Sequence, residues 1–215
     1  MIKVDIRRKA FGGEEILRDI RFTMDASETI AILGASGIGK STLLRLIAGI
    51  DPAFEGEIIR PDKIGMVFQE PVLLPWRSAV ENLTLVHPQL GTEAALSALE
   101  RVGIVDKARL FPGQLSLGQQ RRLALARAFA GRPDLLVMDE PYVSLDPRTA
   151  EEMLALTEAL IAETGPAVIL VTHSESEAQR LARRCLRLAG RPATIASDLA
   201  TTSTLLSRGM HQDRA

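Results

Sequence analysis

The sequence holds a single cysteine, Cys185, and almost no net charge. One cysteine cannot form a disulfide within the chain, which favours a reducing compartment. A formal net charge of −1 argues against a surface built for nucleic acid, where an excess of lysine and arginine is expected. These two shortages count against a disulfide-framed domain and against a nucleic-acid partner.

Long apolar runs are also missing. No stretch approaches the roughly 20 apolar residues that a membrane-spanning helix needs. The first residues, MIKVDIRRKAFGG, contain no apolar region of the signal-peptide type. We therefore expect a soluble, cytoplasmic protein that needs a partner for any role at a membrane. With 46% hydrophobic residues the chain can still bury a sizeable core.

The strongest signal lies between Thr29 and Gly49. Residues 30–33 are apolar and typical of a buried strand, and a leucine-rich helix pattern follows Lys40. Between them, GASGIGKS fits the phosphate-binding spacing G-x-x-x-x-G-K-[ST]. Its glycines let backbone N–H groups surround a phosphate at a helix N-terminus. Lys40 would reach the β- and γ-phosphates, and the Ser41 hydroxyl would bind Mg²⁺.

This loop predicts nucleotide binding. The residues predicted to contact the nucleotide here are Gly34, Ala35, Ser36, Gly37, Ile38, Gly39, Lys40, Ser41 and Thr42. The strand before the loop and the helix after it supply the context that the motif requires.

Two carboxylates follow another apolar strand pattern. Residues 135–138 lead directly to Asp139 and Glu140, and ligands of open α/β sheets bind at the carboxyl ends of strands. Asp139 would suit Mg²⁺, and Glu140 would polarise a water molecule. The next helix pattern begins with Asp146 as N-cap and Pro147 in its first position.

Several other residues have ordinary structural explanations beside a functional one. Phe11 would either stack on a purine ring or pack in the core. Gln69, at the end of a strand pattern, would either reach a phosphate or lie in a loop. His173, after an apolar strand, would be either packed or catalytic. Ser116 and Gln119 form an S-x-x-Q capping box, which by itself explains both residues.

Alternating strand and helix patterns indicate an α/β fold with a mainly parallel sheet and helices on both faces. Residues 79–130 show only helix patterns and predict a helical lobe, in which Thr92 would cap one helix. After Leu188 the pattern fades, and no further strand is predicted. The uncharged segment 72–76, which holds the only tryptophan, is either a partner-binding surface or a buried loop.

Taken in order, these segments resemble the ATP-binding subunit of an ABC transporter over nearly the whole chain. Residues 34–41 resemble the Walker A motif, residues 135–140 resemble Walker B with its catalytic glutamate, and residues 115–119 resemble the signature. The shorter matches are Gln69 at the Q-loop, residues 144–146 at the D-loop, His173 at the switch histidine and Phe11 at the adenine-stacking position.

The resemblance implies a P-loop NTPase fold of ABC ATPase type with a small antiparallel N-terminal lobe. It implies one nucleotide-binding domain over 1–215. This domain would have a core of 1–70 and 131–197, a helical subdomain of 71–130 and a short tail from residue 198.

The resemblance also implies that two subunits, identical or paired, enclose two ATP molecules head to tail. Each ATP would lie between the P-loop of one subunit and the signature helix of the other. Ser116, the Gly118 backbone and Gln119 would then face a γ-phosphate, and Asp146, in the D-loop, would also contact the nucleotide. Glu140 would activate the attacking water.

Charge on the transferred phosphoryl group would be stabilised by Lys40, His173 and Mg²⁺. In the same resemblance, Mg²⁺ would be held by Ser41 and Asp139, with Gln69 nearby. ATP binding would close the dimer, hydrolysis would open it, and the motion would pass to membrane partners near the Q-loop.

The sequence departs from the family pattern at two positions. The usual third residue of the signature is glycine, and here it is Leu117, which would either crowd the partner's nucleotide or point into the dimer interface. Ser27 stands where the family more often has glycine before the Walker A strand, a tolerable substitution in a turn.

The run VFQEPVLLPWRSAVENL resembles the importer subfamily for nitrate, sulfonates and taurine. This resemblance implies integral membrane permease subunits and an extracytoplasmic substrate-binding protein as partners. It places the chain on the inner face of the cell membrane, without a nucleic-acid partner.

The alternative is a non-transport ABC ATPase that acts on DNA or ribosomes. Those proteins carry long coiled-coil insertions or two such domains in one chain, and only a compact segment separates Gln69 from Ser116 here. A P-loop kinase would share Walker A but has no need of the LSLGQ segment.

Overall fold

A computed structural model describes residues 1–201 of the chain, so residues 202–215 of the predicted tail lie outside the described part. The described part of the chain forms two compact units, one of Met1–Arg60 with residues 168–201 and one of Pro61–Ala167. The division into core, helical subdomain and tail stays a prediction.

The elements follow one another in a strand-rich order. They are β1 (Ile2–Phe11), β2 (Glu14–Met24), β3 (Thr29–Leu33), α1 (Lys40–Ala48), β4 (Glu55–Ile59), β5 (Ile64–Val67), α2 (Ala79–Thr84), α3 (Thr92–Arg101), α4 (Leu117–Ala130), β6 (Leu135–Asp139), α5 (Pro147–Thr164), β7 (Ala167–Val171), α6 (Glu175–Leu181), β8 (Arg184–Ala189) and β9 (Thr194–Ala200). Short 3₁₀ turns lie at Val105–Lys107 and Pro112–Gln114.

The first unit contains an antiparallel sheet in the order β2-β1-β4. Ile2, Val4 and Ile6 alternate along β1 and are buried, as expected for a strand with one face on the core. This sheet agrees with the antiparallel N-terminal lobe that the resemblance implied. Ser27, in the turn after β2, has a left-handed φ of 63°, which explains why glycine suits this position.

The same unit holds the strand that leads to the phosphate loop. β3 pairs in parallel with β7 on one side and with β8 on the other, so that Ile30 lies opposite Ile169 and Arg184. All five residues of β3 are buried. A continuous apolar run is what a parallel strand covered on both faces requires.

The structure has a strand after Leu188, where the sequence pattern fades and no strand was predicted. β9 pairs antiparallel with β8, and Asp198 accepts two hydrogen bonds of 2.6 Å from the Arg184 guanidinium. The sequence pattern did not predict this strand because its side chains are exposed or half-buried. Such a strand lacks the apolar alternation from which strands are predicted.

The second unit combines two parallel strands with helices. β5 pairs with β6, with Val67 opposite Met138. A side chain at Gly65 would place its Cβ 2.6 Å from the Ala128 carbonyl oxygen of α4, so only glycine allows β5 to approach this helix so closely. Gly91 is the N-cap of α3 and Thr92 its first residue, so the prediction of Thr92 as cap was wrong.

Candidate functional site

The phosphate loop occupies 34–39, between β3 and α1. Gly39, the N-cap of α1, has a φ of 109°, and no side chain caps the helix. A Cβ at Gly39 would lie 2.9 Å from Ile16 Cγ2, so both conformation and space require glycine. Ala35, Ser36 and Gly37 are exposed. The N–H groups that begin α1 are thus left for an anion.

Lys40 holds the loop in shape. Only 5% of the residue is exposed, and its ammonium group donates to the carbonyl oxygens of Gly34 (2.9 Å) and Ala35 (3.1 Å). A charge this buried needs such partners. The positive charge is therefore fixed against the loop that the sequence assigns to phosphates. Ser41 and Thr42, the next two residues of α1, are half-buried.

Phe11 lies at the end of β1 with 52% of its surface exposed, so its packing in the core was the wrong alternative. The Lys9 ammonium is 4.3 Å from the centre of the ring, a cation–π contact. That ammonium is buried and donates to the Asp51 carboxylate (2.6 Å) and to the Ala53 carbonyl oxygen (2.7 Å). The hydrogen bond from Lys9 lowers the pKa of Asp51. The ring is thus supported from its own chain and still accessible.

His173 follows β7 and is exposed, so a packed histidine is also excluded. β7 and β3 are parallel neighbours, with Val171 opposite Ile32, and the Thr172 N–H donates to the Ile32 carbonyl oxygen (3.3 Å). Because parallel strands end at the same edge of a sheet, His173 and the phosphate loop lie at one edge of the first unit.

Gln69 and the two carboxylates share an edge of the second unit. Val67 lies opposite Met138 in the parallel pair of β5 and β6, so Gln69 and Asp139 emerge from adjacent strand ends. Gln69 is exposed, while Asp139 and Glu140 are half-buried. Glu140 has a φ of 43°, a left-handed conformation that is uncommon for glutamate and frequent at functional sites.

The signature residues begin α4. The Gln119 N–H donates to Ser116 Oγ (3.3 Å) and the Ser116 N–H donates to Gln119 Oε1 (2.9 Å), which confirms the predicted capping box. At Gly118 a Cβ would lie 3.2 Å from Thr149 Cγ2. The cap does not close off this helix end, because Ser116 and Leu117 are exposed.

Asp146 caps α5, as the sequence predicted. Its carboxylate accepts a hydrogen bond from the Thr149 N–H (3.1 Å), and hydrogen bonds from Thr149 lower the pKa of Asp146. Pro147 occupies the first turn, where its missing N–H costs nothing. The cap is sufficient to explain this aspartate, and its contact with a nucleotide stays a prediction.

The predicted residues therefore fall into two groups. The first unit holds Phe11, the phosphate loop and His173, and the second holds Gln69, Asp139, Glu140, the signature and Asp146. Sequence reasoning missed Lys9, Arg121 and Arg127, whose side chains bond to these regions. No local pattern marks them, because Asp51 is 42 positions from Lys9 and the carbonyl partners of Arg121 are at least 20 positions away.

A phosphate-binding loop after a central parallel strand, with carboxylates at the end of another strand, defines a P-loop nucleotide-binding protein. The sequence profile of the ABC transporter family matches residues 17–143. The chain belongs to this family and is an ABC-type ATPase.

Related proteins and solved structures agree with this assignment. The aliphatic sulfonates import ATP-binding protein SsuB 2 of Frankia alni is 46% identical over 182 residues, which are 84% of this chain and 74% of that protein. SsuB 1 of Paracoccus denitrificans, of the same description, is 42% identical over 98% of this chain and 88% of its own length. The dimeric, post-hydrolysis ATP-binding cassette MJ0796 bound to ADP and Pi has a TM-score of 0.81 at 30% identity, over 94% of this chain and 99% of that chain.

Shortening Leu117 should raise the ATPase rate. Its side chain is 46% exposed on the first residue of α4, so it is available to contact a second subunit. If it overpacks a closing interface, the cost is about 1–3 kcal/mol, and Leu117→Gly should speed turnover by about fivefold or more. Leu117→Ala, which keeps helix propensity, is the matched control and should show most of the gain. An equal or lower steady-state rate in both would mean that the leucine is accommodated.

Proposed function

We propose that this chain powers the import of a sulfonate-class solute through a membrane permease by hydrolysing ATP. One observation carries the proposal. Relatives at 42–46% identity, covering most of both chains, are named aliphatic sulfonates import ATP-binding proteins. The segment after Gln69, which resembles the same importer subfamily, supports it from within the sequence.

ATP would bind through groups that the first unit already orders. The uncapped N-terminus of α1 supplies N–H donors for the phosphate oxygens. The Lys40 ammonium, held at the loop carbonyls, would reach the β- and γ-phosphates. The exposed ring of Phe11 would stack on adenine. His173, at the same sheet edge as the loop, would donate to the γ-phosphate and stabilise its developing charge.

The second unit would supply the hydrolytic groups. Glu140 would accept a proton from the attacking water, and Gln69 would orient that water by hydrogen bonding. Ser41, Asp139 and Gln69 carry the oxygen atoms that Mg²⁺ prefers. Mg²⁺ typically binds to few side chains together with substrate phosphates, whose charge it would neutralise.

Two subunits would together form each ATP site. The signature end of α4 is exposed, so Ser116, Gly118 and Gln119 can approach an ATP held by a second subunit, with Asp146 at the same interface. A similar cassette has been solved as a dimer, with a TM-score of 0.80 and 30% identity over 94% of this chain. Closure around ATP and opening after hydrolysis would then move the permease.

The remaining partners follow from importer function. No helix in the described range 1–201 is long and apolar enough to cross a membrane. In an importer of the class that the relatives' names describe, the solute would pass through permease subunits, delivered by an extracytoplasmic substrate-binding protein, with this chain attached to the permease on the inner face. Trp76 and Val72 are exposed, so the alternative of a buried loop for segment 72–76 was wrong. Both side chains are available for attachment to the permease.

Purification from membranes tests the proposal. Tagged protein isolated gently from membranes of its own cell should bring down a multi-span permease, together with a periplasmic or lipid-anchored binding protein. Identification of the co-purifying chains by mass spectrometry gives the result, and cells that express the tag alone serve as control. A DNA- or ribosome-associated partner without any membrane protein would overturn the importer and favour a non-transport ABC ATPase.

A further inference from the structure

Helix α4 carries one buried and one half-buried arginine, Arg121 and Arg127, whose side chains bond to loops outside the helix. Arg121 is 6% exposed, and its two terminal nitrogens donate to the carbonyl oxygens of Pro141 and Val143, each at 2.5 Å. These carbonyls belong to the turn that follows Glu140. Burial lowers the pKa of the Arg121 guanidinium.

Arg127, less than two helical turns further along, repeats the arrangement on another loop. Its nitrogens donate to the carbonyl oxygens of Val72 (2.9 Å) and Pro71 (3.2 Å), which follow Gln69 and Glu70 in the chain. Burial lowers the pKa of this guanidinium too. Each arginine therefore spans two backbone carbonyls of one loop with its rigid, forked guanidinium.

Both loops have backbone that needs such support. Glu140 and Ser144 flank the Arg121 contacts with φ values of 43° and 61°, and Val72 has a φ of 41°. Left-handed backbone is costly for these residue types, most of all for β-branched valine, and persists only when the surroundings enforce it. Charge-assisted hydrogen bonds from a buried arginine are among the stronger constraints available.

We propose that Arg121 and Arg127 are positioning residues. Each clamps one loop to α4, Arg121 the turn that carries Glu140 and Arg127 the segment that carries Gln69. In this role they act through the loops that they hold, by hydrogen bonds to backbone carbonyl oxygens. The consequence for hydrolysis rests on the proposed function of Glu140 and Gln69, whereas the consequence for loop mobility does not.

Replacing Arg121 should slow hydrolysis without weakening ATP binding. Arg121→Met removes both donors and keeps an apolar stem, and a small displacement of a catalytic group can cost about 10²-fold in rate. We expect kcat to fall at least about tenfold, with KM for ATP within about twofold of wild type. Arg121→Lys, with one ammonium in place of the fork, should give an intermediate kcat.

Hydrogen exchange reports the mobility of the two loops and does not depend on ATPase activity. Amides of residues 140–146 should exchange about tenfold faster in Arg121→Met, while those of 69–74 should stay as in wild type. Arg127→Met should show the reverse pattern. Arg122→Met is the matched control, since the neighbouring guanidinium of Arg122 donates to the Val102 carbonyl oxygen and to Glu152. Its kcat and its exchange at 140–146 should equal wild type.

The outcomes separate the clamp from the proposed function. Folded Arg121→Met with wild-type exchange and wild-type kcat would overturn the clamp. If Arg121→Met does not fold, Arg121→Lys tests the clamp instead. Wild-type exchange and wild-type kcat in Arg121→Lys would then overturn the clamp. Wild-type protein without ATPase activity would instead contradict the proposed function, while the exchange difference between the 121 and 122 variants would still support the clamp.

Discussion

Glu140→Gln should leave ATP bound and nearly abolish its hydrolysis. Glutamine keeps the size of the side chain but has no carboxylate to accept the proton of the attacking water. General-base catalysis contributes about 10²- to 10⁴-fold, so we expect the steady-state ATPase rate to fall by at least about 100-fold. The dimer, loaded but unable to turn over, should accumulate in its closed form.

Two measurements check this expectation. Phosphate release gives the rate, and gel filtration with and without ATP shows the ATP-dependent dimer. Glu100→Gln, a matched change of an exposed glutamate on α3, controls for the loss of a negative charge and should behave as wild type. Unchanged steady-state hydrolysis in Glu140→Gln would remove Glu140 from the mechanism.

Lys40→Ala should lose most of the affinity for ATP. The substitution removes a charged donor to the phosphates, and hydrogen bonds to charged groups are worth about 1.5–3 kcal/mol, so binding should weaken about 10- to 100-fold. It also removes the bonds to the Gly34 and Ala35 carbonyl oxygens that hold the loop, which adds to the loss.

Calorimetric titration with ATP measures the change, and a thermal melt confirms that the variant is folded. Lys63→Ala is the matched control, because Lys63 is an exposed lysine before β5. Its ATP affinity should equal that of wild type. Wild-type affinity in folded Lys40→Ala would refute the assignment of this lysine to phosphates.

Local sequence patterns predicted the structure correctly where the interacting residues lie within one short segment. The glycines of the phosphate loop, the Ser116–Gln119 capping box and the Asp146 cap all involve residues within a few positions of one another. The residue types within each segment therefore determine its conformation. Buried strands such as β3 were predictable for the same reason, since their apolar runs record burial on both faces.

Sequence patterns failed to predict the structure where a residue has partners far away in the sequence, or where only the exposure of its side chain separates two alternatives. β9 has little apolar alternation because it lies at a sheet edge, and the sequence offered no other signal for it. Phe11 and His173 each had a core alternative that only their exposure in the folded chain removes.

The sequence by itself determined the family, the phosphate loop and the order of the candidate site residues, because motif spacing and periodicity are properties of short segments. Only the tertiary structure decided which side chains support those segments. The cation under Phe11 and the arginines that span the loops after Gln69 and Glu140 meet partners between 20 and 56 positions away. Such pairs form when folding brings distant backbone carbonyls and carboxylates to a buried charge that needs them.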